Sequence, residues 1–206
     1  MLQVAIYSTK RHDEEANSKN HMPFVYAHSR KAAYQYSWDW APYLNTMGIW
    51  KPVYIQFYKN VKINYVWARN RKVEKSSAVI NFALSLDGND KDFNGQYKVV
   101  VSENGTDLGV MLVTNKYVYL DVEIKNPRLW WPNGIGKPNM YDFDVKLIYA
   151  SNFSEVDMKR VPYGIRTVKL DQTDKKFTVI INGYPVYCKG ANYVPPDMFY
   201  PRTSNP

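Results

Sequence analysis

Between residues 118 and 124 every second side chain is aliphatic: Val118, Leu120, Val122 and Ile124 alternate with Tyr119, Asp121 and Glu123. Strand side chains point to opposite faces with a period of two, so the stretch commits to a strand with one face in a core and one in water. The same alternation recurs on both sides of it. Phe82, Leu84 and Leu86 share a face within residues 79–86, and Phe143, Val145 and Leu147 alternate with Asp142, Asp144 and Lys146. Turn residues separate these runs: Asp87-Gly88-Asn89-Asp90 after the first, and Asn104-Gly105 after a strand at residues 97–101. Short strands at this spacing, with no amphipathic helix between them, predict an antiparallel sandwich of immunoglobulin type from about Val61 onward.

Outside that block the patterning is thinner. Residues 2–7 read as the remnant of a strand and residues 10–22 as a charged loop without a period. Val53, Ile55 and Phe57 alternate with polar or tyrosyl neighbours as in a half-buried strand. After Leu170, Phe177-Thr178-Val179-Ile180-Ile181 is followed by Asn182-Gly183, the strongest short hairpin signal. A second strand is expected at residues 185–188. Cys188, the lone cysteine, excludes an internal disulfide and is expected to be a buried, inert thiol within that strand.

Several function classes are excluded or disfavoured. The net charge is +8, but Lys and Arg are scattered along the chain, which argues against a nucleic-acid partner. No apolar run approaches the roughly 20 residues needed to cross a bilayer, and the N-terminal residues lack the apolar stretch of a signal peptide, which in a secretory protein is expected upstream. His12, His21 and His28 are too widely spaced for a metal site, and neither a phosphate loop nor a dinucleotide fingerprint occurs, so no metal and no cofactor is expected. Asn104-Gly105-Thr106 and Asn152-Phe153-Ser154 satisfy the glycosylation sequon, marking Asn104 and Asn152 as candidate acceptors.

The candidate ligand chemistry lies earlier, in Ser37-Trp38-Asp39-Trp40-Ala41-Pro42 and Gly48-Ile49-Trp50-Lys51. Tryptophan faces with a carboxylate between them suit a sugar, whose C–H faces stack on the ring while hydroxyls donate to the Asp. The same composition also serves a surface loop whose indoles pack beneath it.

RKAAYQYSWDWAP followed by GIWKPVYI resembles the β-mannosidase branch of glycoside hydrolase family two. Three later stretches agree in order: NPRLWWPNG at 126–134, YGIR at 163–166 and FTVIINGYPVYCKGANYVP at 177–195. The resemblance implies an all-β chain in three parts. Residues 1–58 would be the C-terminal part of a galactose-binding-like jelly-roll domain, 59–170 the immunoglobulin-like β-sandwich, and 171–206 the first strands of a truncated (β/α)₈ barrel. It implies a retaining exo-hydrolase that removes terminal β-D-mannose from N-glycan-derived oligosaccharides, in the lysosome or secretory pathway.

Retaining glycosidases generally use two carboxylates about 5–5.5 Å apart. The resemblance assigns both to barrel glutamates, one after an asparagine, yet no Asn-Glu pair occurs among six glutamates here. The catalytic glutamates are therefore expected outside this chain, with Glu103 a hairpin residue. Carried over, Trp38 stacks on the mannose, Asp39 accepts from its hydroxyls and Asn192 lines the pocket at the end of the first barrel strand. Trp40 packs the loop from behind and Trp50 belongs to the core. Trp130 and Trp131 seal the sandwich against its neighbours, and Arg166 is a candidate interdomain ion pair. Two positions depart from the family pattern: Ala41 replaces a usual Gly, and Tyr193 a common Trp. Alternatives are a non-catalytic β-sandwich that binds carbohydrate or protein, and a sister glycosidase activity. The sequence leaves the oligomeric state open.

Overall fold

The computed structural model describes residues 2–203 and divides them between two compact units, residues 56–189 and the remainder. The larger unit holds strands β3 to β12 of the twelve in the described chain. These are β3 (Lys62–Val73), β4 (Ser77–Asp87), β5 (Tyr97–Glu103), β6 (Thr106–Leu112), β7 (Tyr117–Lys125), β8 (Tyr141–Tyr149), β9 (Glu155–Tyr163), β10 (Val168–Asp171), β11 (Thr178–Ile181) and β12 (Tyr184–Val186). Seven of them form two antiparallel sheets, ordered β3-β4-β7 and β6-β5-β8-β9.

The alternating residues named from the sequence are the ones that face inward. Ile80, Phe82, Leu84 and Leu86 of β4 join Val118, Leu120, Val122 and Ile124 of β7 against Val99, Val101, Phe143, Val145 and Leu147 of the other sheet, all in one buried cluster. Phe82 and Phe143 meet edge-on across the interior, ring centroids 5.1 Å apart. Two sheets with one apolar face each stabilise one another by packing those faces together, here as an immunoglobulin-type sandwich. Gly109 lets edge strand β6 approach β7: an added Cβ would lie 2.8 Å from Val122. At the opposite side Asp157 of β9 accepts a hydrogen bond from the Ile63 amide of β3 at 2.8 Å, joining the sheets.

The β5–β6 and β11–β12 hairpins turn at Asn104-Gly105 and Asn182-Gly183, each with positive φ at both residues, as a two-residue primed turn requires. The second hairpin belongs to an open three-stranded sheet, β10-β11-β12. Its turn is tied down by Asn182, which donates to the Trp130 carbonyl and accepts from the Thr167 amide, both at 2.9 Å. Trp131 packs edge-on against Tyr184 at 5.5 Å, so this tryptophan seals the sandwich against the following sheet as expected. Arg166 forms no ion pair among the described residues. Its guanidinium instead lies over the Trp130 ring at 4.9 Å and donates to the Gly164 carbonyl.

Four expectations fail here. The second hairpin strand stops at Val186, and Cys188 beyond it is exposed, outside any strand, so it is not a buried thiol. Residues 51–58 form no strand, and Val53, Ile55 and Phe57 lie exposed because no neighbouring strand hydrogen-bonds to them. Residues 2–10 hold no strand either. Residues 2–8 are exposed and irregular, and they lead into helix α1 (Thr9–Lys19) where a loop was expected.

That helix had no readable period because its inward-facing residue is a carboxylate, Asp13. Local terms form it instead. The Ser8 hydroxyl caps the N-terminus by accepting from the Arg11 amide, and Lys10–Glu14 and Arg11–Glu15 are spaced i,i+4. The smaller unit also contains the hairpin of β1 (Tyr36–Trp38) and β2 (Ala41–Tyr43). Among the described residues no helix is long and apolar enough to cross a membrane.

Candidate substrate-binding hairpin

The two short strands pair Tyr36 with Tyr43 and Trp38 with Ala41, leaving Asp39-Trp40 as the turn. The base of the hairpin is held firmly. Tyr36 donates its phenol to the Asp13 carboxylate of α1 and packs against Tyr26 at 5.7 Å and Tyr43 at 5.9 Å. Burial first, and then the Asp13 hydrogen bond, push the Tyr36 phenol above the ordinary tyrosine range, so it stays a neutral donor. Below it, the Leu44 amide donates to the Gln35 carbonyl at 3.1 Å, which extends the pairing.

The tip is as open as the base is closed. Trp38 is 50% exposed, Asp39 is exposed, and the Asp39 carboxylate has no hydrogen bond or ion pair with any described residue. Trp40 leans on Tyr34 with ring centroids 5.1 Å apart, the supporting position expected for it. Ala41 takes ordinary strand geometry and is buried, while the left-handed residue of the hairpin is Ser37 at φ 84. The substitution at Ala41 therefore needs no positive φ. An unpaired carboxylate between two partly open indoles can accept hydroxyl donors while a ring face stacks.

Asn192 lies exposed in the same unit, in a stretch without regular structure, so no strand end presents it. No hydrogen bond joins it to Trp38 or Asp39. Trp50 is not a core residue: it is half exposed in the wall of a cleft, with the Lys51 ammonium 4.7 Å from its ring centroid. Glu103 ends β5 beside the turn and accepts from the Asn104 side chain at 3.0 Å, the hairpin role expected. Asn104 and Asn152 both occupy exposed turns, with the Asn152 oxygen accepting from the Ser154 hydroxyl and amide. Among the described residues no group of three metal-ligating side chains occurs.

Sequence reasoning overlooked the cleft. Its lining comes from Arg30, Lys31 and Gln35 before the hairpin and Thr46, Trp50 and Phe199 after it. The signal available was the RK pair, Lys31 standing nineteen positions ahead of Trp50. It went unused because the cations look like ordinary surface charge.

Comparison with known families resolves what this arrangement belongs to. Residues 54–166 match glycosyl hydrolases family 2, and residues 1–51 match the glycosyl hydrolase 2 galactose-binding domain-like family. The chain belongs to glycosyl hydrolases family 2. Within that family it is 31% identical over 179 residues to beta-mannosidase B of Aspergillus flavus, covering 84% of this chain and 21% of that protein. Beta-D-mannosidase from Dictyoglomus thermophilum superposes with a TM-score of 0.72 at 29% identity, over 94% of this chain and 25% of the other. An exo-chitosanase of Amycolatopsis orientalis shares the fold at 19% identity and a TM-score of 0.51, over 66% of this chain and 16% of its own. The chain thus spans about a fifth of the curated family 2 relatives it matches.

Proposed function

We propose that this chain is the sugar-gripping and scaffold portion of a retaining exo-β-mannosidase. It would act on terminal β-D-mannose of N-glycan-derived oligosaccharides. In this reading residues 1–58 complete a galactose-binding-like domain, 59–170 form the sandwich, and 171–206 begin the catalytic barrel that supplies the two glutamates. The observation that carries the reading is the Asp39 carboxylate, left without an internal partner at the tip of a hairpin whose base is clamped by Tyr36 and Asp13. Trp38 would stack on the hexose, Asp39 would accept from its hydroxyls, and Asn192 would reach the same sugar from the chain that follows β12. The likeness to two beta-mannosidases supports the choice of mannose. The exposed turns at Asn104 and Asn152 are suited to glycosylation in a secretory or lysosomal compartment.

Two measurements test it. Reading the transcript beyond Pro206 should reveal an Asn-Glu pair within a βα pattern, whereas a stop codon there would favour a non-catalytic binding module. In the enzyme containing this segment, Asp39→Ala should lower kcat/KM on an aryl β-mannoside by about 10–100-fold, the scale of a charge-assisted hydrogen bond. Unchanged kinetics would remove the role assigned to Asp39.

A further inference from the structure

Helix α1 buries no apolar residue. Its one buried side chain is Asp13, and that carboxylate accepts the Tyr36 phenol at the base of the hairpin. Docking a helix through a carboxylate is a poor route to stability, because the charge loses water and one hydrogen bond offsets little of that cost. Such a contact is better suited to fixing a position. What it fixes lies in the residues that follow Tyr36.

Ser37 holds φ at 84, in the left-handed region that serine rarely visits. It is exposed, so its own side chain does not lock it there. The Asp39-Trp40 turn joins Trp38 to Ala41 with two residues, and loops of that length usually take positive φ inside the turn to match the strand twist. Neither Asp39 nor Trp40 does so. The rotation is made at Ser37 instead, and it decides the direction in which Trp38 and Asp39 leave the base.

Strained backbone persists only where its surroundings over-determine it. Beyond Ser37 the hairpin is open, with Trp38 half exposed. Before it, Tyr36 is fixed from three directions, by the Asp13 carboxylate and by the rings of Tyr26 and Tyr43. Of these three contacts only the hydrogen bond fixes the phenol oxygen, since ring packing lets an aromatic slide.

We propose, resting on the sugar-gripping role given to Trp38 and Asp39, that Asp13 is a positioning residue for the hairpin. Through the Tyr36 phenol it keeps Ser37 left-handed and so aims the indole and the carboxylate at the tip. Helix α1 is then a brace for the binding loop. Without the brace, Ser37 relaxes to negative φ and the tip turns away from the sugar.

The variant Asp13→Leu with Tyr36→Phe tests this, because it makes both partners apolar, which a buried pair tolerates better than the loss of one. In the isotope-labelled 206-residue chain, the indole N–H resonances of Trp38 and Trp40 should shift, while those of Trp130 and Trp131 stay in place. In the enzyme containing this segment, the same variant should lower kcat/KM on an aryl β-mannoside about tenfold, as small displacements of a positioned group do. In an Asp39→Ala background that loss should shrink to about twofold, because the carboxylate being aimed is gone. Ser37→Gly, which takes positive φ without a steric penalty, should restore part of the lost kcat/KM and move the two indole resonances back. Unmoved Trp38 and Trp40 resonances would overturn the proposal. So would a loss of the same size in both backgrounds, the mark of a general structural effect, or a Ser37→Gly change that restores nothing. If Asp39→Ala alone leaves the kinetics unchanged, the sugar-gripping role of Asp39 fails, and the resonances still decide whether α1 aims the hairpin.

Discussion

Residues 118–124 and residues 53–57 carry the same sequence signal, apolar side chains at every second position, and the fold treats them in opposite ways. In β7 the residues Val118, Leu120, Val122 and Ile124 are at most 9% exposed, whereas Val53, Ile55 and Phe57 are 61%, 67% and 90% exposed. The strand β7 pairs residue by residue with β4 and faces a second sheet. Residues 53–57 have no ladder partner among the described residues. Alternation specifies a face and says nothing about a neighbour. A strand is a property of two segments at once, so identical periodicity is decisive in one region and empty in the other.

The sandwich half of this comparison breaks most easily at Phe82. It is fully buried and edge-on to Phe143. Phe82→Ala should cost about 3–5 kcal/mol, read from the shift of a urea denaturation midpoint. A loss below about 1 kcal/mol would mean that the two sheets do not share one packed interior.

A smaller loss is expected at Gly164, where a Cβ would meet Trp130 atoms at 2.9 Å. Gly164→Ala should destabilise by about 1–3 kcal/mol through overpacking, and should alter the near-ultraviolet dichroism of Trp130. That dichroic change is what separates a displaced indole from a general loss of structure.

Charge state gives a subtler probe of the same interior. Burial is the first cause raising the phenols of Tyr97 and Tyr163 above the ordinary tyrosine range. The unfolded chain then releases those protons first as the solution becomes alkaline. Stability should be unaffected below about pH 10 and should fall as pH rises toward the raised folded values. Replacing Tyr97 by Phe should flatten that alkaline decline in the denaturation midpoint. An unchanged slope would assign the decline to other groups, including Tyr36 in the smaller unit.

How much of this was readable depended on whether the instructions were local. The Asn-Gly turns at 104–105 and 182–183 were legible because two residues carry the whole demand for positive φ. The sandwich was legible because β4, β7 and β8 each have their partners within the chain. Helix α1 was not, since the residue it buries is Asp13, whose meaning depends on Tyr36 twenty-three positions later. Trp38, Asp39 and Trp40 stood out by composition, and the hairpin gathers them at one tip. The cleft did not, because Arg30 and Lys31 look like ordinary surface charge. Cys188 misled for the reason Phe57 did: an apolar context was taken for a core.

The smallest expected effect is the sharpest test of that reasoning. Phe57→Ser removes a large aromatic ring from a segment with the same period as β7, yet it should change the stability of the chain by no more than about 0.5 kcal/mol, because a side chain 90% exposed has little burial to lose. The comparison should be made at several protein concentrations, because an exposed run of Val53, Ile55 and Phe57 is the kind of surface that recruits a second chain. A change within that limit, independent of concentration, leaves the segment as an unpaired strand sequence. A loss of 2 kcal/mol that grows with concentration would show that the alternation had found a partner after all, on another molecule, and that the two regions differ only in where that partner comes from.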